Sequence, residues 1–183
     1  MLGLAAAAAW GAGDFGGGLT SRRAPVFGVV LLSQVVGMAI AIGLALLRGE
    51  GVPHGTDLLL CFVGGTLGGV GITALYRGLA VGRMAIVAPV TGVLAAVIPV
   101  VGGIILEGLP ATMVLAGIGL AILSVVLVSR VADEGGGRAG LTEALVAGVA
   151  IGSFGIVISG LRDRKSTRLN FSHTDISRMP SYA

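Results

Sequence analysis

The sequence has few of the residues from which catalytic and metal sites are usually built. It contains one cysteine, Cys61, and two histidines, and only 11% of its residues are charged. A single cysteine excludes a disulfide framework and a cysteine-based metal cluster. Both histidines, His54 and His173, lie outside the long apolar segments, so no nucleophile–histidine pair is expected at membrane depth. A Gly-Lys-Ser/Thr triplet is also missing, which excludes a Walker A nucleotide site. We therefore expect no enzyme, no cofactor and no metal.

An excess of one sign of charge is also missing from most of the chain. The net charge is +3, yet the seven basic and seven acidic residues from Met1 to Leu161 cancel. The whole excess lies in the last 22 residues. A nucleic-acid partner is therefore not expected, because its electrostatic footprint would rest on this tail alone.

Apolar residues and glycine are what the chain has in abundance. The sequence is 55% hydrophobic, with 33 glycines in 183 residues and a mean hydropathy of +1.00. A helix needs about 20 apolar residues to cross the ~30 Å core of a bilayer. We predict an all-α polytopic membrane helix bundle in a lipid bilayer, with six transmembrane helices at Leu2–Leu19, Val26–Leu47, Leu58–Ala80, Met84–Leu106, Leu109–Ser129 and Leu141–Gly160.

The third and fourth segments, joined by Val81-Gly82-Arg83, are expected to form a helical hairpin. Thr73 and Tyr76 share one face of the third segment with Thr66 and Gly69. Pro89 and Pro99 are expected to kink the fourth segment, since each removes a backbone donor. The small and weakly polar residues have two interpretations, helix packing or the lining of a path.

The first segment carries Trp10 and Asp14 one turn apart. Asp14 has two interpretations, contact with a substrate or proton, or pairing with an arginine of the following loop. Gln34 in the second segment either forms a hydrogen bond to a neighbouring helix (interhelical glue) or contacts a substrate. The first segment resembles a signal peptide in its alanines but lacks a basic n-region, so we interpret it as a transmembrane helix. Its G-x-G-x-x-G match at Gly11–Gly16 is rejected as a dinucleotide motif, because no strand precedes it.

Several short motifs, taken in their order along the chain, carry a family resemblance. They are Trp10-Gly11 with Asp14-Phe15, the segment from Ala74 to Ala80, Ala88-Pro89-Val90, Ile98-Pro99-Val100, Glu107-Gly108 and Gly117. Together they resemble the EamA-type members of the drug/metabolite transporter superfamily. The resemblance implies two inverted five-helix repeats around a central cavity, and export or exchange of small metabolites or drugs without ATP. Trp10, Asp14, Gln34, Thr73 and Tyr76 are our predicted cavity residues.

The resemblance implies ten spans, of which six are present, so we expect an N-terminal fragment of a multi-pass plasma-membrane protein. The predicted parts are a five-helix repeat (1–130), a linker (131–140), the first helix of a second repeat (141–161) and a disordered, non-native tail (162–183). The predicted mechanism is transport of a small-molecule substrate by alternating access. The predicted partners include a second copy of the chain in a homodimer. The alternative is a non-transporting assembly or structural subunit.

Orientation has two conflicting indications. Six arginines lie in the loops after the first, third and fifth segments or, as Arg77 does, in the last turn of the third segment, and the other two loops carry only Arg48. The positive-inside rule then places the N-terminus outside. The family resemblance implies a cytoplasmic N-terminus, and the sequence leaves both readings open.

Overall fold

The computed structural model describes residues 2–49, 55–131 and 139–177, and over these ranges it is all-helical. Its six helices are α1 (Leu2–Thr20), α2 (Val26–Leu47), α3 (Thr56–Val81), α4 (Met84–Glu107), α5 (Thr112–Val131) and α6 (Leu141–Ser177). Each predicted segment overlaps one of them, and no strand occurs in the described ranges. The all-α prediction is therefore confirmed.

The helix ends follow local sequence signals. Pro25 stands directly before α2, where its missing N–H is no loss and its ring presets a helical φ. Gly108 has a φ of 89° and ends α4, because a residue without a Cβ adopts this left-handed conformation freely. Gly140 has a φ of 83° and leads into α6 in the same way.

Four of the helices are long and apolar enough to cross a membrane by length and composition. In the described part of the chain these are Val26–Leu47, Thr56–Val81, Met84–Leu106 and Leu141–Gly160. In α1, six glycines together with Trp10 and Asp14 reduce the apolar character. Because α1 and α5 are not among the four, six membrane spans stay a prediction.

Helix α6 is the element on which α3 and α4 assemble. It packs along both of them extensively, whereas α3 and α4 contact each other far less. Helices α1 and α2 pack mainly on α3, and α5 packs on α4. The segments predicted to form a hairpin are therefore joined by a short link, but α6 supplies most of the packing surface of each.

Glycines allow the close approach of α6 to its neighbours. A Cβ placed on Gly71 would lie 2.7 Å from Cγ1 of Ile151, and one on Gly152 would lie 2.8 Å from Cβ of Ile98. Side chains cannot approach this closely without displacement, so larger residues would push the helices apart. For these positions the packing interpretation accounts for the glycine.

A small core lies where α2, α3, α4 and α6 meet, near the link between α3 and α4. Its buried members are Val30, Leu75, Tyr76, Leu79, Val87, Ala144 and Ala147. Outside this core most large apolar side chains are exposed, including Leu32 at 67% and Leu47 at 85%. Such an extended apolar surface is suited to lipid rather than water. The backbone polar groups, which must be satisfied internally in hydrocarbon, are bonded within the helices.

The C-terminal end of α6 differs from the sequence prediction. Disorder was predicted from residue 162, but the helix continues to Ser177. No glycine or proline occurs between Leu161 and Ser177, so nothing in the local sequence interrupts the helix. Residues 178–183 and the linker residues 132–138 lie outside the described ranges, and the non-native origin of the tail stays a prediction.

Candidate substrate cavity

A cavity of about 580 Å³ lies among α1, α2, α3, α4 and α6. Its volume falls within the ~300–1,000 Å³ that is usual for small-molecule sites. The lining is predominantly apolar and includes glycine positions on α3 and α4. The polar and aromatic residues that line it are Trp10, Asp14, Phe15, Gln34, Thr91 and Phe154.

Helix α1 contributes an aromatic and an acidic side chain to the cavity, as the i, i+4 spacing predicts. Trp10 and Asp14 lie one turn apart on the same helix face, and both line the cavity. Asp14 is half-buried and makes no hydrogen bond or ion pair with any residue that the structure describes. The carboxylate therefore faces the cavity without a counter-charge.

Neither of the two arginines in the loop after α1, Arg22 and Arg23, forms an ion pair with Asp14, and Arg22 is engaged elsewhere. Arg22, in the turn after α1, donates from Nε to the carbonyl oxygen of Leu79 at 3.2 Å and from Nη2 to that of Gly82 at 3.3 Å. These carbonyls lie at the C-terminal end of α3, where a cation interacts favourably with the helix dipole. Arg22 thereby ties the α1–α2 turn to α3 and leaves Asp14 unpaired.

Gln34 lines the cavity from α2. Of the five predicted cavity residues, the structure thus brings together Trp10, Asp14 and Gln34, which come from two helices. No side-chain hydrogen bond of Gln34 occurs among the described residues, so the interhelical-glue interpretation has no observed partner there. Its amide carries donors and an acceptor available to a cargo molecule.

The structure places Thr73 and Tyr76 outside the cavity lining. The Thr73 hydroxyl donates to the carbonyl oxygen of Gly69 at 2.7 Å, one turn back in the same helix. Tyr76 is buried against Gly17 of α1, and its hydroxyl donates to the carbonyl oxygen of Gly13 at 3.5 Å. Tyr76 is thus used for packing of α1 on α3, the Thr73 hydroxyl is bonded within its own helix, and any substrate contact by these two residues stays a prediction.

Two overlapping glycine pairs on α3, Gly64/Gly68 and Gly65/Gly69, differ in whether they contact α6 or line the cavity. Gly64 faces Val157 and Phe154 of α6. Gly68 borders Phe154 and the cavity, whereas Gly65 and Gly69 line the cavity with open space where a side chain would be. A one-residue step along a helix turns the face by about 100°, which explains why neighbouring pairs serve different purposes.

Thr91 is a cavity residue that the sequence reasoning missed. It is 4% exposed, and its Oγ1 donates to the carbonyl oxygen of Ala144 at 3.2 Å, which links α4 to α6. It is the sole hydroxyl-bearing residue of α4, a signal that could have been used. Pro89 and Pro99 lie within α4, which continues as one helix past both, so kinks at these residues stay a prediction.

The interface between α1 and α3 beside the cavity depends on two further glycines. A Cβ on Gly17 would overlap the Tyr76 ring, and one on Gly18 would lie 2.9 Å from Cβ of Leu79. Across the bundle, Arg77 of α3 pairs with Glu143 of α6 at 3.5 Å. No group of three or more His, Cys, Asp or Glu side chains able to hold a metal occurs in the described ranges.

Comparisons with known proteins give one clear relationship. No curated protein and no solved structure matches the chain. The model of the EamA-like transporter family matches residues 1–130, which is more than two thirds of the chain and includes α1 to α4 and nearly all of α5. This match, together with four apolar helices of membrane-spanning length, makes the chain a multi-pass membrane protein. The chain belongs to the EamA-like transporter family of the drug/metabolite transporter superfamily.

Proposed function

We propose that this protein is a secondary transporter that exports or exchanges small metabolites or drugs by alternating access, without ATP. The observation that carries the proposal is the 580 Å³ cavity, in which Trp10, Asp14 and Gln34 of two helices converge among apolar side chains. Intramembrane ionisable residues are costly and usually face a cavity or a partner. A transport site explains why Asp14 is directed into this space.

The packing supports a division into two moving groups. Helix α6 holds α3 and α4 together, whereas α1 and α2 pack on this group mainly through α3. We propose that α1 and α2 rock against α3, α4 and α6, and that the cavity between the groups opens to each side in turn. The α1–α3 contact at Gly17 and Gly18 is the part of the interface that must slide.

The wider setting of the protein follows from the same proposal. We propose that residues 1–130 form the first five-helix repeat and that α6 begins a second, inverted one, in a plasma-membrane protein that can form homodimers. An assembly or structural subunit is the competing function. It would need no cavity, since all of its small residues would serve packing as Gly71 and Gly152 do.

A flux measurement on the full-length gene product tests the proposal. The purified protein is reconstituted in vesicles loaded with equal amounts of benzyltrimethylammonium, uridine and phenylmethanesulfonate, so that a cation, a neutral molecule and an anion are all present. We expect ATP-independent loss of at least one probe, faster than from protein-free vesicles and absent with the Asp14→Asn/Gln34→Leu variant. Retention of all three probes would favour the assembly function.

The prolines of α4 provide a separate prediction. In the full-length protein, Pro89→Ala/Pro99→Ala is expected to lower flux by about 3- to 10-fold, because α4 would lose the bends that rocking uses. The yield of folded protein should be unchanged, since alanine is about 3 kcal/mol more favourable than proline inside a helix. Ala96→Leu, on the same helix and outside the cavity, is the control. Unchanged flux would remove the prolines from the mechanism.

A further inference from the structure

The described residues that line the cavity include an acidic side chain and no basic one. Asp14 is the sole ionisable side chain among its described lining residues, and lysine, arginine and histidine are all missing from that lining. The nearest arginine along the chain, Arg22, is held by the carbonyls of Leu79 and Gly82. The site therefore offers one negative charge with no compensating positive charge among the described residues.

From this arrangement we propose that the cavity takes a monovalent organic cation with an aromatic or aliphatic body. The inference rests on the proposed function, because it names the class of cargo for the same site. A bound cation supplies the counter-charge that Asp14 lacks, and an anion would be repelled. The apolar walls bury the body of the molecule.

Aromatic side chains add a second reason for a cation. Trp10 lies one turn from Asp14, and Phe15 and Phe154 also line the cavity. The face of an aromatic ring attracts a cation through its quadrupole, and tryptophan does so best. An aromatic side chain beside an unpaired carboxylate is the chemistry that recognises quaternary and protonated amines.

An inorganic cation does not suit this lining. Among hard metal cations, Ca²⁺ takes about six to eight oxygen ligands and Mg²⁺ takes about six. The cavity presents side-chain oxygens from Asp14, Gln34 and Thr91, and the Thr91 hydroxyl is already donated to Ala144. Four side-chain oxygens, spread over three helices in a 580 Å³ space, leave a small ion poorly coordinated, whereas an organic cation fills the space with apolar contacts.

The chain offers a direct readout, because Trp10 is its single tryptophan and lines the cavity. The 183-residue chain is purified in detergent micelles and titrated with benzyltrimethylammonium, with its uncharged carbon isostere neopentylbenzene and with the anion phenylmethanesulfonate. Trp10 fluorescence should change saturably with the cation, at a Kd at least about tenfold below that of either comparison probe. Benzyltrimethylammonium keeps its charge at every pH, so titration of the ligand cannot produce the difference.

Variants separate the charge effect from a general loss of structure. Asp14→Asn should raise the Kd for benzyltrimethylammonium by about tenfold or more and leave that of neopentylbenzene unchanged, since only the charge is removed. Asp14→Glu should retain the preference for the cation. Asp57→Asn, the matched change outside the cavity, should leave all three values unchanged. Size-exclusion elution identical to that of the parent chain shows that each variant is folded.

The outcomes separate this proposal from the proposed function. Equal binding of the cation and its neutral isostere, with no effect of Asp14→Asn, overturns the cationic cargo and leaves the cavity as a transport site. Tighter binding of the anion overturns it in the same way. No saturable change with any of the three probes overturns the cavity as a binding site, and the proposed function with it.

Discussion

A disulfide between α1 and α3 is expected to stop transport while the protein stays folded. A Cβ on Gly18 would lie 2.9 Å from Cβ of Leu79, slightly less than the ~3.8 Å between the Cβ atoms of a disulfide, so a small separation admits the bond. The variant Gly18→Cys/Leu79→Cys joins the two groups proposed to move against each other. Flux of the probes from vesicles should fall at least about tenfold on oxidation and recover on reduction, because rocking of the groups gates transport.

A cross-link within one group provides the matched control. A Cβ on Gly152 would lie 2.8 Å from Cβ of Ile98, so Ile98→Cys/Gly152→Cys forms an equally close pair between α4 and α6. Both variants are made with Cys61→Ala, since Cys61 is exposed and could react. The control disulfide should leave flux nearly unchanged. Equal inhibition by the two disulfides, or none by the first, would refute the proposed division.

Replacing Gly140 is expected to cause the largest loss of stability among the glycine substitutions. Gly140 has a φ of 83°, and a Cβ there would lie 2.8 Å from the carbonyl oxygen of Gly78 and 3.0 Å from Cα of Gly82. Gly140→Val would combine backbone strain with a steric clash, at a cost of roughly 2–4 kcal/mol. The melting temperature of the purified protein, read from the fraction still monodisperse after heating, should fall markedly.

The control for this substitution lies on an exposed surface of α2. Gly37 in α2 is exposed, and a Cβ on it would have no neighbour within 4 Å. Gly37→Val should therefore change the melting temperature little. A similar drop for both variants would show that valine itself, rather than the crossing of α3, α4 and α6 near Gly140, is responsible.

The helices could be predicted from the sequence because their signals are local. Local signals bound the apolar runs, such as Pro25 before α2 and Gly108 after α4, so the positions of α1 to α4 follow closely. Trp10 and Asp14 share a face by spacing alone, which is why both reach the same cavity. Gln34 was predicted on polarity, since an amide in an apolar helix requires a protein or cargo partner.

Contacts between distant helices could not be predicted in this way. Periodicity places Thr73 and Tyr76 on one face of α3, but it does not show that Tyr76 packs against Gly17 of α1. The role of Thr91 depends on a residue 53 positions away, and the central position of α6 depends on contacts between still more distant residues, such as Gly71 and Ile151. Hydrophobic burial does not encode such pairings in a bundle whose apolar surface is nearly uniform.

The measurement that tests the central claim most directly is the accessibility of Gln34 to water within the bilayer. In the Cys61→Ala background, Gln34→Cys and Leu32→Cys are compared, since Gln34 lines the cavity and Leu32, two residues away, is 67% exposed on the apolar surface. A charged, membrane-impermeant methanethiosulfonate reagent is supplied to both faces of the membrane. Cysteine reacts as the thiolate, which forms only where water reaches, so the cysteine at position 34 should be labelled at least about tenfold faster than that at 32. Equal or reversed rates would contradict a water-accessible cavity among these helices.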